Sequence, residues 1–292
     1  MAQSSRWEFE AIGTRWQVDT AAELSAAIRS EVTALIGAFD QAWSRFRDDA
    51  QIAPLAEVPG SIPAPMDASP MLDLYVELSE ATSGAVNPLI GDALARRGYD
   101  AHYGLVDRGA QPAPARWRDL LTWRDGVLTV REPAAIDIGA LGKGRLVDRV
   151  MDLLLARDEV VGPVTVDAGG DIAIRGTERI ALEHPYDATR AIGVWQVTDG
   201  ALCASATQRR AWPGADGGGL HHVLDARTGE PVRTIAATWA VARDAMTADA
   251  AATALFFEGG PRFAYSHAVA WVRMTTDGRL EWSPDSKAEL FL

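Results

Sequence analysis

Val164-Thr165-Val166-Asp167-Ala168-Gly169-Gly170-Asp171-Ile172-Ala173-Ile174-Arg175 reads as two short apolar strands, 164–168 and 172–175, separated by little more than a pair of glycines. Further strands are expected at 191–197 and 201–205, with no helical period between them. Outward from this block, strands are expected at 135–138, 222–224, 236–242, 268–273 and 280–282, and helices at about 143–157 and 246–258. Strands outnumber helices and do not alternate regularly with them. The expected fold class is therefore α+β, with mixed sheets and packed helices, rather than a doubly wound parallel sheet.

Toward the N-terminus, alternation through Trp7, Phe9, Trp16 and Val18 predicts an opening strand pair, with Gly13-Thr14 as its bend. Leu24, Ile28, Val32, Leu35, Ile36, Phe39 and Trp43 recur at three and four, the stripe of an amphipathic helix from Ala21 to about Phe46. Residues 48–67 contain Pro54, Pro59, Pro63 and Pro65 and read as an irregular loop. Ser69-Pro70 reads as an N-cap followed by Pro at the first position of a helix that Ser83-Gly84 ends. Residues 85–118 are turn-rich, and Leu120–Trp123 with Val127–Val130 forms a hairpin around Arg124-Asp125-Gly126. No repeat, low-complexity tract or linker interrupts the 292 residues, so one domain over 1–292 is expected.

Composition narrows the function. A 48% hydrophobic chain can bury a sizeable core, which excludes a disordered or collagen-like protein. Lys plus Arg total 28 against 40 for Asp plus Glu, a formal net charge of −12, which is the wrong sign for gripping nucleic acid. A phosphate-bearing ligand would need a local device to override that field. The single cysteine, Cys203, permits neither an intrachain disulfide nor a thiolate zinc site and reads as a small core residue. Met1–Glu8 has no signal-peptide character and no apolar run approaches a membrane span, so a cytoplasmic protein without a membrane anchor is expected.

Four segments carry candidate chemistry. Ala135–Arg145 runs from a strand through Gly139, Gly142 and Gly144 into a helix, aiming backbone N–H groups and Lys143 at one point, as an anionic phosphate requires. It is neither a Walker A loop nor a dinucleotide fingerprint, and alone it also reads as a tight turn with a solvated lysine. Gly169-Gly170 inside an apolar strand marks a bulge or a ligand lying on the backbone. Asp249 and Thr253, one helical turn apart in an alanine-rich helix, present two hard oxygens on one face, as Mg²⁺ sites do; the bland alternative is a dipole-complementing Asp and a core Thr. His221-His222 on a strand face opposite ways, so at most one of them serves a given site.

Taken in order, these segments resemble the signature of the ApbE family, the FAD:protein FMN transferases. Asp137–Gly144 resembles the family's Asp-Leu-Gly-Gly-Ile-Ala-Lys-Gly, Gly169–Asp171 its Gly-Gly-Asp, and His222–Gly229 its His-Ile-Ile-Asp-Pro-Arg-Thr-Gly. Ala248–Thr253 resembles its Ala-Asp-Ala-x-x-Thr. Ile12-Gly13-Thr14, Ser44-Arg45-Phe46-Arg47 and Gly84-Ala85-Val86-Asn87-Pro88 resemble its Met-Gly-Thr, Ser-x-Tyr/Phe-Arg and Gly-x-Phe-Asp-Pro. The resemblance implies an ApbE-like fold with an FAD-binding cleft. It also implies transfer of FMN from FAD to a Thr or Ser hydroxyl of a target flavoprotein, with AMP released.

By the same resemblance, Asp249, Thr253 and the carbonyl of Ala140 would hold Mg²⁺ or Mn²⁺. Lys143, Asp137, Gly170 and Asp171 would serve FAD, and Ile12, Phe46, Ala85, Val86, Asn87 and Val223 would line its pocket. His222 is the candidate for accepting the acceptor's proton, since imidazole titrates near neutrality. Asn87 stands where Asp is common, and Ser205-Ala206-Thr207-Gln208-Arg209-Arg210 replaces the family's Ser-Gly-Asp-Tyr-x-Arg, a change that bears on acceptor choice. The expected acceptor motif is Ser/Thr-Gly-Ala-Ser/Thr. This chain's own Thr82-Ser83-Gly84-Ala85-Val86 lacks the hydroxyl at the position to be modified, so the chain is not its own substrate. Alternatives are an FAD pyrophosphatase, in which water replaces the acceptor, and a flavin-binding protein without turnover.

Overall fold

The protein is described by a computed structural model covering residues 5–215 and 217–291. In chain order its elements are β1 (Ser5–Ala11), β2 (Thr14–Thr20), α1 (Ala26–Trp43), β3 (Gly60–Pro63), α2 (Ala68–Ala81), α3 (Gly91–Arg96), α4 (Trp117–Leu120), β4 (Leu121–Arg124) and β5 (Val127–Val130). There follow α5 (Gly142–Leu155), β6 (Val164–Asp167), β7 (Asp171–His184), β8 (Asp187–Ala206), β9 (Ala211–Pro213), β10 (Gly219–His221), β11 (Leu224–Asp225) and β12 (Glu230–Pro231). The chain closes with β13 (Ile235–Ala242), α6 (Ala245–Ala254), α7 (Gly260–Ser266), β14 (Ala270–Thr275), β15 (Leu280–Trp282) and β16 (Glu289–Leu290).

The α+β expectation holds. A nine-stranded sheet runs β1-β2-β6-β7-β8-β13-β14-β15, with β16 added against β8, and its pairings are antiparallel. Its centre is the block 164–175: β6 and β7 pair as Val166↔Ala173, joined through Gly169 (φ +72°) and Gly170 (φ +110°), a left-handed pair that glycine adopts without a Cβ clash. Alternation along the strands separates two cores. Ala173 faces the main core with Val166, Cys203 and Ala240, which α5 and α6 cover through Leu146, Val150, Ala248 and Ala251. Ile172 and Ile174 face the other side with Trp195, Leu202, Trp239 and Val272. Among the described residues no helix is long and apolar enough to cross a membrane.

Several elements differ from expectation. Helix α1 starts five residues later than its apolar stripe suggested, because Ser25 caps it, its Oγ accepting from the Ile28 N–H at 3.3 Å. Asp67 (φ +67°), not Ser69, precedes α2, and Pro70 sits inside the first turn, where its missing N–H costs no helical bond. The proline-rich loop contains β3, which pairs with β5 from the outer edge of a three-stranded sheet, a position that tolerates Pro63. Residues 135–138 are extended but not a strand: the Ala135 carbonyl accepts from Gly91 N at 3.2 Å and Asp137 N donates to the Pro88 carbonyl at 2.8 Å. The strand expected at 222–224 is split, leaving His222 between β10 and β11. The expected strands at 191–197 and 201–205 are one, β8.

Candidate active site

Beside the sheet lies a cavity of about 600 Å³, within the size range of small-molecule sites. Its wall is assembled from segments distant in sequence: the β1–β2 turn, the end of α1 and the residues after it, residues 85–87, the turn into α5, the β6–β7 turn, residues 222–224 and helix α6. Of the residues singled out from sequence, Ile12, Phe46, Ala85, Val86, Asn87, Asp137, Ala140, Lys143, His222, Val223, Asp249 and Thr253 all line it. Gly170 and Asp171 do not; Gly169 lines it instead, and Asp171, 1% exposed, sits behind Lys143.

One corner is polar. Gly144, at the start of α5, approaches α6 so closely that a Cβ there would lie 2.2 Å from the Ala245 carbonyl oxygen. This contact sets the Gly144 N–H 2.9 Å from Asp249 Oδ2. One turn along α6, Thr253 Oγ1 lies 3.2 Å from the Ala140 carbonyl oxygen. Carboxylate, hydroxyl and backbone carbonyl are the hard oxygen donors that Mg²⁺ or Mn²⁺ accepts, the remaining positions going to water and phosphate. Three donors on one corner of a ligand-sized cavity fit such an ion. Burial, followed by the charge of Asp171, pushes the Asp249 carboxyl up to about 7, while Lys143 and the Gly144 N–H work in the opposite direction. Lys143 adds an ammonium at the same corner and is ion-paired with Asp171. Burial favours the neutral amine, but Asp171 and Asp249 together hold the proton on Lys143 more tightly than usual.

Aromatic rings also line the cavity. Phe46 stacks on Tyr103 with centroids 5.4 Å apart and meets Tyr99 edge-on at 5.3 Å. Arg45 lies 4.2 Å from the Phe46 ring centre and pairs with Asp137 Oδ2 at 2.5 Å in a nearly buried salt bridge. Arg45, Tyr75, Tyr99 and Tyr103 were not anticipated as site residues. Arg45 lay inside a motif already quoted, whereas Tyr75 carried only a core-helix signal. The Tyr75 hydroxyl donates to the Asp137 carbonyl at 3.0 Å and accepts from Ala140 N at 3.3 Å, bracing the turn that presents Ala140. Asn87 is an anchor for its loop: its amide donates to the Pro114 carbonyl, and its side-chain oxygen accepts from Leu89 N, both at 2.9 Å.

The two histidines face different surroundings, although only His221 is in a strand. His221 is buried, with Nε2 2.7 Å from the Val232 carbonyl, and burial lowers its pKa. His222 faces the cavity. The side chains of Arg209 and Arg210, in the divergent segment after β8, lie outside what the structure describes; Ser205 and Ala206 line the cavity.

The model of the ApbE family matches residues 12–271. The chain belongs to the ApbE family. It is similar to the FAD:protein FMN transferase of Treponema pallidum (strain Nichols), with 30% identity over 273 residues covering 82% of this chain and 73% of that protein. A second relative, the FAD:protein FMN transferase of Klebsiella pneumoniae (strain 342), is 27% identical over 79% of this chain and 75% of its own length. The ApbE fold is evident in solved structures. The ApbE protein of Thermotoga maritima superposes with a TM-score of 0.83 at 22% identity, covering 97% of both chains. The flavin transferase ApbE of Vibrio cholerae superposes at 0.80 with 20% identity, covering 97% of this chain and 98% of that one.

Proposed function

We propose that this chain is an enzyme, an FAD:protein FMN transferase acting as one ApbE-like domain. It takes FAD as substrate, moves FMN to a Thr or Ser hydroxyl in a Ser/Thr-Gly-Ala-Ser/Thr motif of a target flavoprotein, and releases AMP. The observation that carries this reading is the convergence of Lys143, Asp249, Thr253 and the Ala140 carbonyl in a cavity that Phe46, Tyr99 and Tyr103 also line. Such a lining suits a ligand that carries both a planar ring and a pyrophosphate.

The reaction asks mainly for positioning and charge neutralisation. Asp249, Thr253 and the Ala140 carbonyl would hold Mg²⁺ or Mn²⁺, which when bound neutralises charge on the pyrophosphate. The Lys143 ammonium binds phosphoryl oxygen at the same corner. Phe46 and Tyr103 offer ring faces, and Ile12, Val86 and Val223 exclude water. The acceptor hydroxyl oxygen forms a bond to the FMN phosphorus as the bond from that phosphorus to the AMP phosphate oxygen breaks. His222 takes the hydroxyl proton, and AMP leaves with the bridging oxygen.

Asp249→Ala tests this. AMP release from FAD is expected to fall at least about 100-fold, while flavin binding, read by fluorescence quenching, weakens far less because the aromatic wall is intact. Unchanged turnover in that variant would remove Asp249 from the chemistry.

A further inference from the structure

Asp171 is the most deeply buried carboxylate near the cavity, yet it does not line the cavity. It opens β7 directly after the glycine pair. That turn is fixed: a Cβ on Gly169 would lie 2.1 Å from Thr14 Oγ1, Ala168 N donates to the Asp171 carbonyl at 2.9 Å, and Ala204 N donates to the Gly170 carbonyl at 2.9 Å. Opposite Asp171 in the sheet is Cys203 of β8. Central strands thus deliver the carboxylate to one place. There Oδ2 accepts from Lys143 Nζ, while Oδ1 is buried and has no hydrogen-bond partner among the described residues.

Such an arrangement is poor design for stability. A buried ion pair seldom improves on apolar side chains of the same volume, and an unpartnered buried oxygen adds a further cost. What the pair does determine is where the ammonium sits. Lys143 has a flexible four-carbon stem and lies under the influence of two carboxylates, Asp171 behind it and Asp249 on the cavity wall. If Asp171 were absent, the remaining carboxylate acting on the Lys143 ammonium would be Asp249. That collapse would mask the carboxylate needed for a divalent cation and the ammonium needed for phosphate, in a single contact.

We propose that Asp171 is a positioning residue that acts through Lys143, drawing its ammonium back from Asp249 so that the carboxylate stays open to a divalent cation and the ammonium to phosphate. The proposal rests on the functional reading above, but its test does not need turnover. Mn²⁺ binding to the metal-free protein, titrated by electron paramagnetic resonance, compares four proteins: wild type, Asp171→Asn, Lys143→Met and the double variant. Asp171→Asn is expected to weaken Mn²⁺ about tenfold or more, in the range seen when a residue supporting a metal ligand is removed. In the Lys143→Met background the same substitution is expected to change affinity by less than about twofold, the mark of a residue acting only through its partner.

Equal weakening in both backgrounds would overturn the proposal, and so would no weakening in either. If Asp171→Asn does not fold, Lys143→Met is compared with Lys143→Met/Asp171→Leu, which replaces the pair by apolar groups. Equal Mn²⁺ affinity of these two is expected, and a further loss in the second would overturn the proposal. A wild type that binds Mn²⁺ but releases no AMP from FAD with any acceptor would count against the transferase reading, while the four-protein comparison would still decide the role of Asp171.

Discussion

In its proposed role Asp249 would meet two opposing demands. Burial and the charge of Asp171 push its carboxyl from an ordinary value of 3.8 up to about 7, whereas a cation ligand must be ionised. A folded-state value raised above the unfolded one means that the stability this group contributes is present below about pH 4 and is lost as pH rises toward about 7. A bound cation reverses that loss. Mg²⁺ is therefore expected to raise Tm more at about pH 8 than at about pH 6, with affinity falling roughly tenfold per pH unit below about 7; a pH-independent shift would contradict the assignment. Ile12 carries a different tension: a β-branched residue at φ +45° in the turn that lines the cavity. Ile12→Asn is expected to stabilise the fold by about 1 kcal/mol, read by denaturant unfolding, and to weaken FAD binding, because the strain relieved and the apolar wall lost belong to one residue. Asp249 and Thr253 were legible because a helix fixes what shares a face within four residues. The Lys143–Asp171 contact was not, since 28 residues and a sheet crossing separate the partners.

Helices α5 and α6 touch where a side chain cannot fit. Gly144→Ala would drive a Cβ to 2.2 Å from the backbone oxygen of Ala245 and 2.7 Å from Asp249 Cβ, and backbone cannot yield as a side-chain tip does. The expected cost is about 3 kcal/mol, measured as a lower denaturant midpoint. Turnover should fall with it, because the same displacement carries Asp249 away from Ala140. Helix α5 was legible from the glycines at its start, and α6 from its run of alanines, although α6 ends at Ala254, short of the 258 expected. The strand expected at 135–138 was not one, because Ile136 and Ile138 are buried by a segment whose backbone bonds to residues 88–91 rather than to a ladder. Asp199-Gly200, inside strand β8, has the composition of a hairpin turn. In the fold Asp199, at φ +45°, lies in an irregularity opposite Gly176, whose N–H bonds to Asp199 Oδ1 at 2.9 Å, and the strand continues through it.

Across the whole molecule, a chain of net charge −12 gathers one ammonium and three hard oxygen donors at a corner of one cavity. Composition could say that a phosphate ligand needs such a device, and the order of the motifs could suggest where to look; only the folded chain shows the aromatic cluster in the same cavity, built from Phe46, Tyr99 and Tyr103 on segments with no common period. With Lys143 as the cationic group of that corner, Lys143→Met is expected to lower kcat for AMP release by about 100-fold, with a smaller rise in KM for FAD, in a steady-state assay. The decisive step remains transfer to protein. Purified protein, FAD and Mg²⁺ would be incubated with a flavoprotein bearing a Ser/Thr-Gly-Ala-Thr motif, and intact mass read alongside nucleotide analysis. The expected result is an acceptor mass gain equal to FMN, matched mole for mole by AMP and absent when the acceptor hydroxyl is replaced. AMP and free FMN formed equally without acceptor, or FAD bound and left whole, would contradict it.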